Sequence, residues 1–220
     1  MLSMGYHQSR GDHTLFIKHH GDLMTALLVY VDDIVVTGND ITEQVILKQN
    51  LAKEFEIKEL GVLKYFLGIE VAYSKDGIFL SQRKYIMDLL IETGLLGGKG
   101  SSIPVDPNLK LQANTKDEVI DKGRFQRLVG RLIYLSHTRP DIAFAVSLVS
   151  QFMHNPSSEH MQVVKRILNY LKATPGKGIL FTPGDDLKIQ GYVDADYGGS
   201  LVDRRSTTGY CVFLGGNLVS

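Results

Sequence analysis

A mixed α/β (α+β) chain, with sheet at both ends and helices between, is what the sequence predicts, and three observations carry the prediction. Strand-length apolar runs separated by Gly-, Asn- and Asp-containing turns fill the first part, and three apolar stripes at helical spacing fill the middle. Strand-length runs return after residue 178. The 220 residues, 44% of them hydrophobic, suffice to bury one large core or two small ones.

Taken in order, Thr14–Lys18 is a short strand that turns at His20-Gly21-Asp22 into a second strand ending at Asp32. Ile34–Thr37 is its return strand, and Gly38-Asn39-Asp40 punctuates the end. A helix is expected over residues 41–56, capped by Asp40 or Thr42, with Ile41, Val45, Leu51 and Phe55 among its apolar positions. Residues 63–72 and 78–80 read as a hairpin across Ser74-Lys75-Asp76-Gly77. A helix from Arg83 to Thr93 buries Tyr85, Ile86, Leu89 and Leu90 and stops at Gly94.

Gly97-Gly98-Lys99-Gly100-Ser101-Ser102 is the most linker-like stretch. It lacks the strand-loop-helix setting of a phosphate-binding loop and reads as a flexible connector. Three stripes follow it: Phe125, Leu128, Val129, Leu132 and Ile133; then, past the break at Pro140, Ile142, Ala145, Val146, Val149, Phe152 and Met153; then, opened by Asn155-Pro156, Val164, Ile167, Leu168 and Leu171. Core packing explains all three. Strands are expected at 178–181, 187–193 and 209–214.

Several classes are excluded early. A single cysteine, Cys211, leaves no internal disulfide framework and fits a reducing, intracellular setting. The seven histidines lack metal spacing, and His19-His20 beside Gly21-Asp22 reads as a polar turn. No apolar run approaches the ~20 residues that span a bilayer, so no membrane partner is expected. Met1-Leu2-Ser3-Met4-Gly5 has neither the basic start nor the apolar core of a signal peptide.

The chemistry concentrates at Tyr30-Val31-Asp32-Asp33. Two adjacent carboxylates close the apolar run Ala26–Val31, and a second run, Ile34-Val35-Val36, follows at once, which reads as a buried hairpin with like charges at its tip. Turn geometry prefers Asn-Gly or Asp-Gly there, not Asp-Asp. Mg²⁺, with Mn²⁺ as a substitute, would turn the repelling pair into a stabilising one, because a hard cation takes oxygen ligands. A solvated acidic turn is the alternative that these residues leave open.

The same residues carry a resemblance. Leu-Leu-Val-Tyr-Val-Asp-Asp-Ile-Val-Val-Thr-Gly is similar to the catalytic hairpin of reverse transcriptases of the copia-type retrotransposon polyprotein. Further blocks resemble that family in order: Tyr65–Val71 a hairpin near the primer end, Phe79–Tyr85 the start of the thumb, then Leu128–Leu135, Thr138–Ile142 and Lys165–Lys172. Asp194–Gly199 and Arg204–Tyr210 resemble the opening of a ribonuclease H domain.

The resemblance implies a fold and a site. Residues 1–100 would be part of a palm sheet and the start of a thumb, 101–177 the helical thumb and connection, and 178–220 the first strands of a ribonuclease H-like fold. Asp32 and Asp33 would be catalytic metal ligands, with Tyr30 and Val31 on the primer-nucleotide side. Asp194 would be the first carboxylate of the ribonuclease H site, with Asp196 as competitor and Asp203 a loop charge. Arg124, Arg127, Arg131, Lys165, Arg166 and Lys172, solvated faces by default, would contact template-primer phosphates.

Charge agrees in sign. Lys and Arg against Asp and Glu number 5 against 9 over residues 1–60, 16 against 10 over 61–180 and 3 against 5 over 181–220, a basic middle between acidic ends. The family's remaining polymerase aspartate, its fingers and much of its palm lie upstream of the blocks found here, and its later ribonuclease H carboxylates lie downstream. Both sites are therefore expected to be half-built. Either the chain is a piece of an RNA-directed DNA polymerase, inactive alone, or it is a non-enzymatic nucleic-acid-binding relic of a degraded element.

Overall fold

The computed structural model describes residues 1–109, 111–113, 120–184, 186–198 and 206–220. It divides into two compact units, Met1–Phe66 and Leu67–Ser220. The expected mixture of helices and antiparallel sheet is present in both.

In the first unit a 3₁₀ turn at Leu2–Met4 precedes β1 (His7–Gln8), β2 (Leu15–His20), β3 (Leu23–Tyr30) and β4 (Asp33–Gly38), an antiparallel sheet in chain order. Then come α1 (Ile41–Glu54) and β5 (Tyr65–Phe66). Asp40 caps α1, its Oδ1 accepting the Glu43 N–H at 2.9 Å, a contact worth about 1 kcal/mol. The buried core is Tyr6, Leu27, Leu47 and Leu51, with Phe16, Val29 and Val36 packed on it.

Two expectations are corrected here: the helix ends at Glu54, which leaves Phe55 outside it, and the hairpin is not buried to its tip. Ile41 is 66% exposed and Val45 and Phe55 are also exposed, because α1 buries the narrow Glu43, Leu47, Leu51 row, one residue every turn. Phe55 lies past the helix end in extended backbone. The hairpin is buried only through Thr25, Ala26 and Leu27; its tip is open to solvent.

The second unit opens with a hairpin, β6 (Ile69–Ser74) and β7 (Gly77–Ser81), and closes that sheet with β8 (Gly178–Phe181), paired antiparallel to β7. Between β7 and β8 lie α2 (Arg83–Thr93), α3 (Lys122–Ser136), a 3₁₀ turn at Pro140–Ile142, α4 (Ala143–Ser150) and α5 (Ser158–Ala173). Gly94 ends α2 in the left-handed region, φ 70°, as its position predicted. The helices bury one continuous core from Ile86 and Leu89 through Phe125, Leu132, Ile142 and Val149 to Ile167 and Leu171. Ile133 departs from the expected stripe: it is exposed, and Leu135 takes the buried position.

The glycine-rich connector is not loose. Lys172 of α5 donates to the Gly97 and Gly98 carbonyls, and the Ser101 N–H donates to the Asn169 carbonyl at 3.0 Å. A Cβ on Gly100 would come within 2.7 Å of Ala173 Cβ, so only glycine fits that approach. Lysine, a residue sequence reading leaves to solvent, fastens the segment.

A second sheet, β9 (Ile189–Asp196), β10 (Thr207–Leu214) and β11 (Asn217–Leu218), follows in the order β11-β10-β9. The strand at 178–181 belongs with β7 instead, so this sheet opens at Ile189.

Candidate metal-binding hairpin

The β3–β4 hairpin sets the geometry of the candidate site. Its ladder runs from Thr25↔Gly38 to Tyr30↔Asp33, which leaves Val31 and Asp32 as the two turn residues. The strand thus ends at Tyr30 and not at Asp32. Asp33 belongs to the ladder, while Asp32 belongs to the turn, and both are exposed. Val31 carries the turn with φ 52°, a left-handed conformation that β-branched residues avoid, and stands 86% exposed. Tyr30 and Ile34 flank it, also exposed. Apolar side chains in solvent, two carboxylates and a strained backbone thus share one hairpin tip.

Two carboxylates suit a hard divalent cation in donor type but fall short in number, since Mg²⁺ takes six oxygens. Among the described residues no group of three or more His, Cys, Asp or Glu comes together to hold a metal. Any ion here would complete its shell from water or from groups outside this set.

Asp194 belongs to the second unit, inside β9 opposite Gly209, and not at the strand end, because the ladder continues to Asp196↔Thr207. Its Oδ1 accepts the Ala195 N–H at 3.0 Å, and it is exposed. Asp203 lies outside the described residues.

The basic residues divide by environment. Arg124, Arg127 and Lys165 are exposed. Arg131 is half-buried, ion-paired with Glu92 of α2 and 5.2 Å from the Tyr85 ring centre, so it joins α3 to α2. Lys172 holds the glycine-rich segment, and Arg166 is half-buried with its Nε lacking a hydrogen-bond partner among the described residues.

One cluster escaped sequence reasoning. Arg139, 1% exposed, makes two bonds to Asp141 (Nε–Oδ1 2.9 Å, Nη2–Oδ2 2.8 Å) and two to Thr174 at the end of α5, the carbonyl and Oγ1 each at 2.8 Å. Tyr170 donates to Asp141 Oδ2 at 2.6 Å and stacks under the guanidinium. Burial pushes the Asp141 carboxyl up, but the bonds from Arg139 and Tyr170 outweigh it and hold it below the usual range. The Thr-Arg-Pro-Asp block is thus a structural clamp. Its signal was Arg and Asp two apart around a proline that fixes the bend.

The family model described as reverse transcriptase (RNA-dependent DNA polymerase) matches residues 1–107. The whole chain is 43% identical to the retrovirus-related Pol polyprotein from transposon RE1 of Arabidopsis thaliana and 40% identical to that from transposon RE2, spanning 15% of the length of each. It is also 41% identical, over 88% of its residues, to 80% of an uncharacterized mitochondrial protein of the same plant. No solved structure matches. The chain belongs to the reverse-transcriptase region of the copia-type retrotransposon Pol polyproteins. Among the described residues no helix is long and apolar enough to cross a membrane.

Proposed function

We propose that the chain forms part of the catalytic palm of an RNA-directed DNA polymerase, with Asp32 and Asp33 as two ligands of the divalent-metal centre. The observation that supports this most directly is the hairpin tip: a two-residue turn exposes adjacent carboxylates beside a strained, solvent-facing valine. Backbone strain concentrates where function over-determines a conformation. Mg²⁺ or Mn²⁺, when bound, supplies the Lewis acidity that activates a primer 3′-hydroxyl and neutralises phosphate charge. The chain's own part is to hold the two carboxylates in place on a paired strand and its turn, with Tyr30 and Val31 lining the primer-nucleotide side.

On this reading residues 1–100 are palm and early thumb, 101–177 thumb and connection, and the strands within 178–220 open a ribonuclease H-like fold whose first carboxylate is Asp194. The substrate is a nucleic-acid template-primer, met by Arg124, Arg127 and Lys165 from exposed positions. The isolated chain is inactive, because the two carboxylates of the tip do not complete a cage.

Mn²⁺ titration followed by NMR tests the reading. Paramagnetic broadening centred on residues 30–34, at the millimolar affinity on the order expected of an incomplete oxygen cage, is expected. It disappears in the Asp32→Asn, Asp33→Asn double variant. Broadening centred elsewhere, or primer extension by the 220-residue chain itself, refutes the half-cage assignment.

A further inference from the structure

The connector between α2 and α3 is tied to α5 at both ends. Near its start Lys172 and the Asn169 carbonyl hold Gly97, Gly98 and Ser101. Near its far end the Gln112 carbonyl lies 3.0 Å from Nε2 of His160, in the first turn of α5, and between the two ties Val105 and Leu111 are buried in the helical core. The first tie uses an ammonium group, which keeps its charge at any pH near neutrality. The second uses a histidine, which does not.

His160 is fully buried, and its ring stacks on Phe152 with centroids 4.0 Å apart. Its two nitrogens meet opposite demands. A carbonyl only accepts, so Nε2 carries a proton for Gln112; a backbone N–H only donates, so Nδ1 stays bare for Ser157, 2.8 Å away. The neutral ring with its proton on Nε2 satisfies both. The bond from Ser157 is also half of the capping box that opens α5, the other half being the His160 N–H on Ser157 Oγ. One ring therefore closes the connector and starts the helix. A second proton, on Nδ1, would meet the Ser157 N–H. Ser157 Oγ, 3.0 Å from Nδ1, can accept it, but the backbone N–H is then left buried without its acceptor. Among the described residues Glu159, on the same helix, is the charged group that favours the proton, while the connector brings the Gln112 carbonyl and the segment after α4 the Phe152 ring. Burial outweighs Glu159 and the Gln112 bond and holds the histidine below its ordinary pKa of 6.5.

We propose that His160 is a proton-operated catch: neutral, it fastens the connector to α5; protonated, it swings out and frees residues 111–113 and the first turn of α5 while the rest of the core stays folded. The catch is independent of the metal reading of the β3–β4 hairpin, which lies in the first unit. The open form carries a histidine of pKa 6.5 and the closed form one of lower pKa, so the catch is fully closed above pH 6.5 and weakens as pH falls through that value toward the folded one. Native-state hydrogen exchange of the full chain, each rate corrected for the free amide at that pH, tests it. Protection of the Ser157, His160 and Met161 amides is expected to fall about tenfold per pH unit in that window, through an opening that mild urea leaves unchanged, whereas the Leu132 and Ile167 amides exchange by urea-sensitive global unfolding. In Leu111→Cys with Cys211→Ser, the thiol buried with the connector is labelled through the same opening, its rate referred to the unfolded chain at each pH. His160→Gln keeps an acceptor for Ser157 and a donor for Gln112 but takes up no proton, so its protection stays flat in the window. Should that variant not fold, the ring ¹⁵N shifts of the unaltered chain decide, with Nδ1 bare at neutral pH and a titration below 6.5 expected. Flat protection in the unaltered chain, a fall that persists in His160→Gln, urea-sensitive opening of the three amides, a thiol at position 111 that reacts only through global unfolding, or a ring that titrates at or above 6.5 overturns the proposal.

Discussion

Relaxing Val31 should stabilise the hairpin. The residue holds φ at 52° while its side chain is 86% exposed, so substitution there changes backbone energy and little packing. A left-handed conformation costs an L-residue on the order of 1–2 kcal/mol, and a β-branched one sits at the upper end. Asparagine tolerates that region, and Val31→Asn is expected to add about 1 kcal/mol to the stability of the β3–β4 hairpin. Glycine removes the strain entirely but forfeits about 0.5–1 kcal/mol of folding entropy, so Val31→Gly also adds about 1 kcal/mol. One kcal/mol is a factor of about 5 in an opening equilibrium. Native-state hydrogen exchange of amides in residues 26–36 is the assay, because it reads local opening. Exchange about fivefold slower in Val31→Asn, and slowed by a similar factor in Val31→Gly, is the expected result. Unchanged or faster exchange in both would show that the turn is not strained. If the strain serves catalysis, Val31→Asn introduced into a polymerase-competent polyprotein lowers template-directed synthesis while the fold gains stability.

Three other outcomes are expected. Arg139→Ala destabilises the second unit by about 3 kcal/mol, the low end for a broken buried pair because the Asp141 side chain keeps 30% of its exposure; urea denaturation measures it, and a loss near zero refutes the clamp. His160 accepts the Ser157 N–H on Nδ1, faces the Gln112 carbonyl with Nε2, and is held by burial below its ordinary pKa of 6.5, so the unfolded chain binds its proton first; stability is full above pH 6.5 and falls as pH drops through the lowered folded value, and His160→Gln should flatten that part of the urea-midpoint profile. Lys165→Ala with Arg166→Ala weakens binding to an RNA–DNA hybrid regardless of sequence and makes the slope of log K against log salt shallower by up to about two units, with Arg166, already half-buried, contributing the smaller part; a slope that does not move leaves both residues as surface and support.

Helix periodicity made the second unit legible. Arg83–Thr93 matches its expected bounds, and the stripes on α3, α4 and α5 reach the core at nearly every named position. Such stripes survive because each is long enough to average out single exceptions such as Ile133. The first unit was harder: α1 is only weakly amphipathic, so Ile41 and Val45 could not be told from Leu47 and Leu51 by composition alone. Sheet partnership was invisible for a different reason. Nothing in Gly178–Phe181 says that it pairs with a strand almost a hundred residues earlier, since pairing is set by tertiary closure and not by local pattern. At the candidate site the motif identified Asp32 and Asp33, but the left-handed Val31 required the register. Arg139 stands in the sequence only as part of the Thr138–Ile142 block; two of its four bonds depend on Thr174, 35 residues on, which local pattern does not reveal.

The hairpin's register has one more consequence. Asp33 is anchored by its pairing with Tyr30, whereas Asp32 rides on the turn beside Val31. The two neighbours are therefore mechanically unequal: a flip or relaxation of the turn peptide re-aims Asp32 and leaves Asp33 where the ladder puts it. A vise with one fixed and one sliding jaw can accept objects of more than one width, and can close on them without moving the bench.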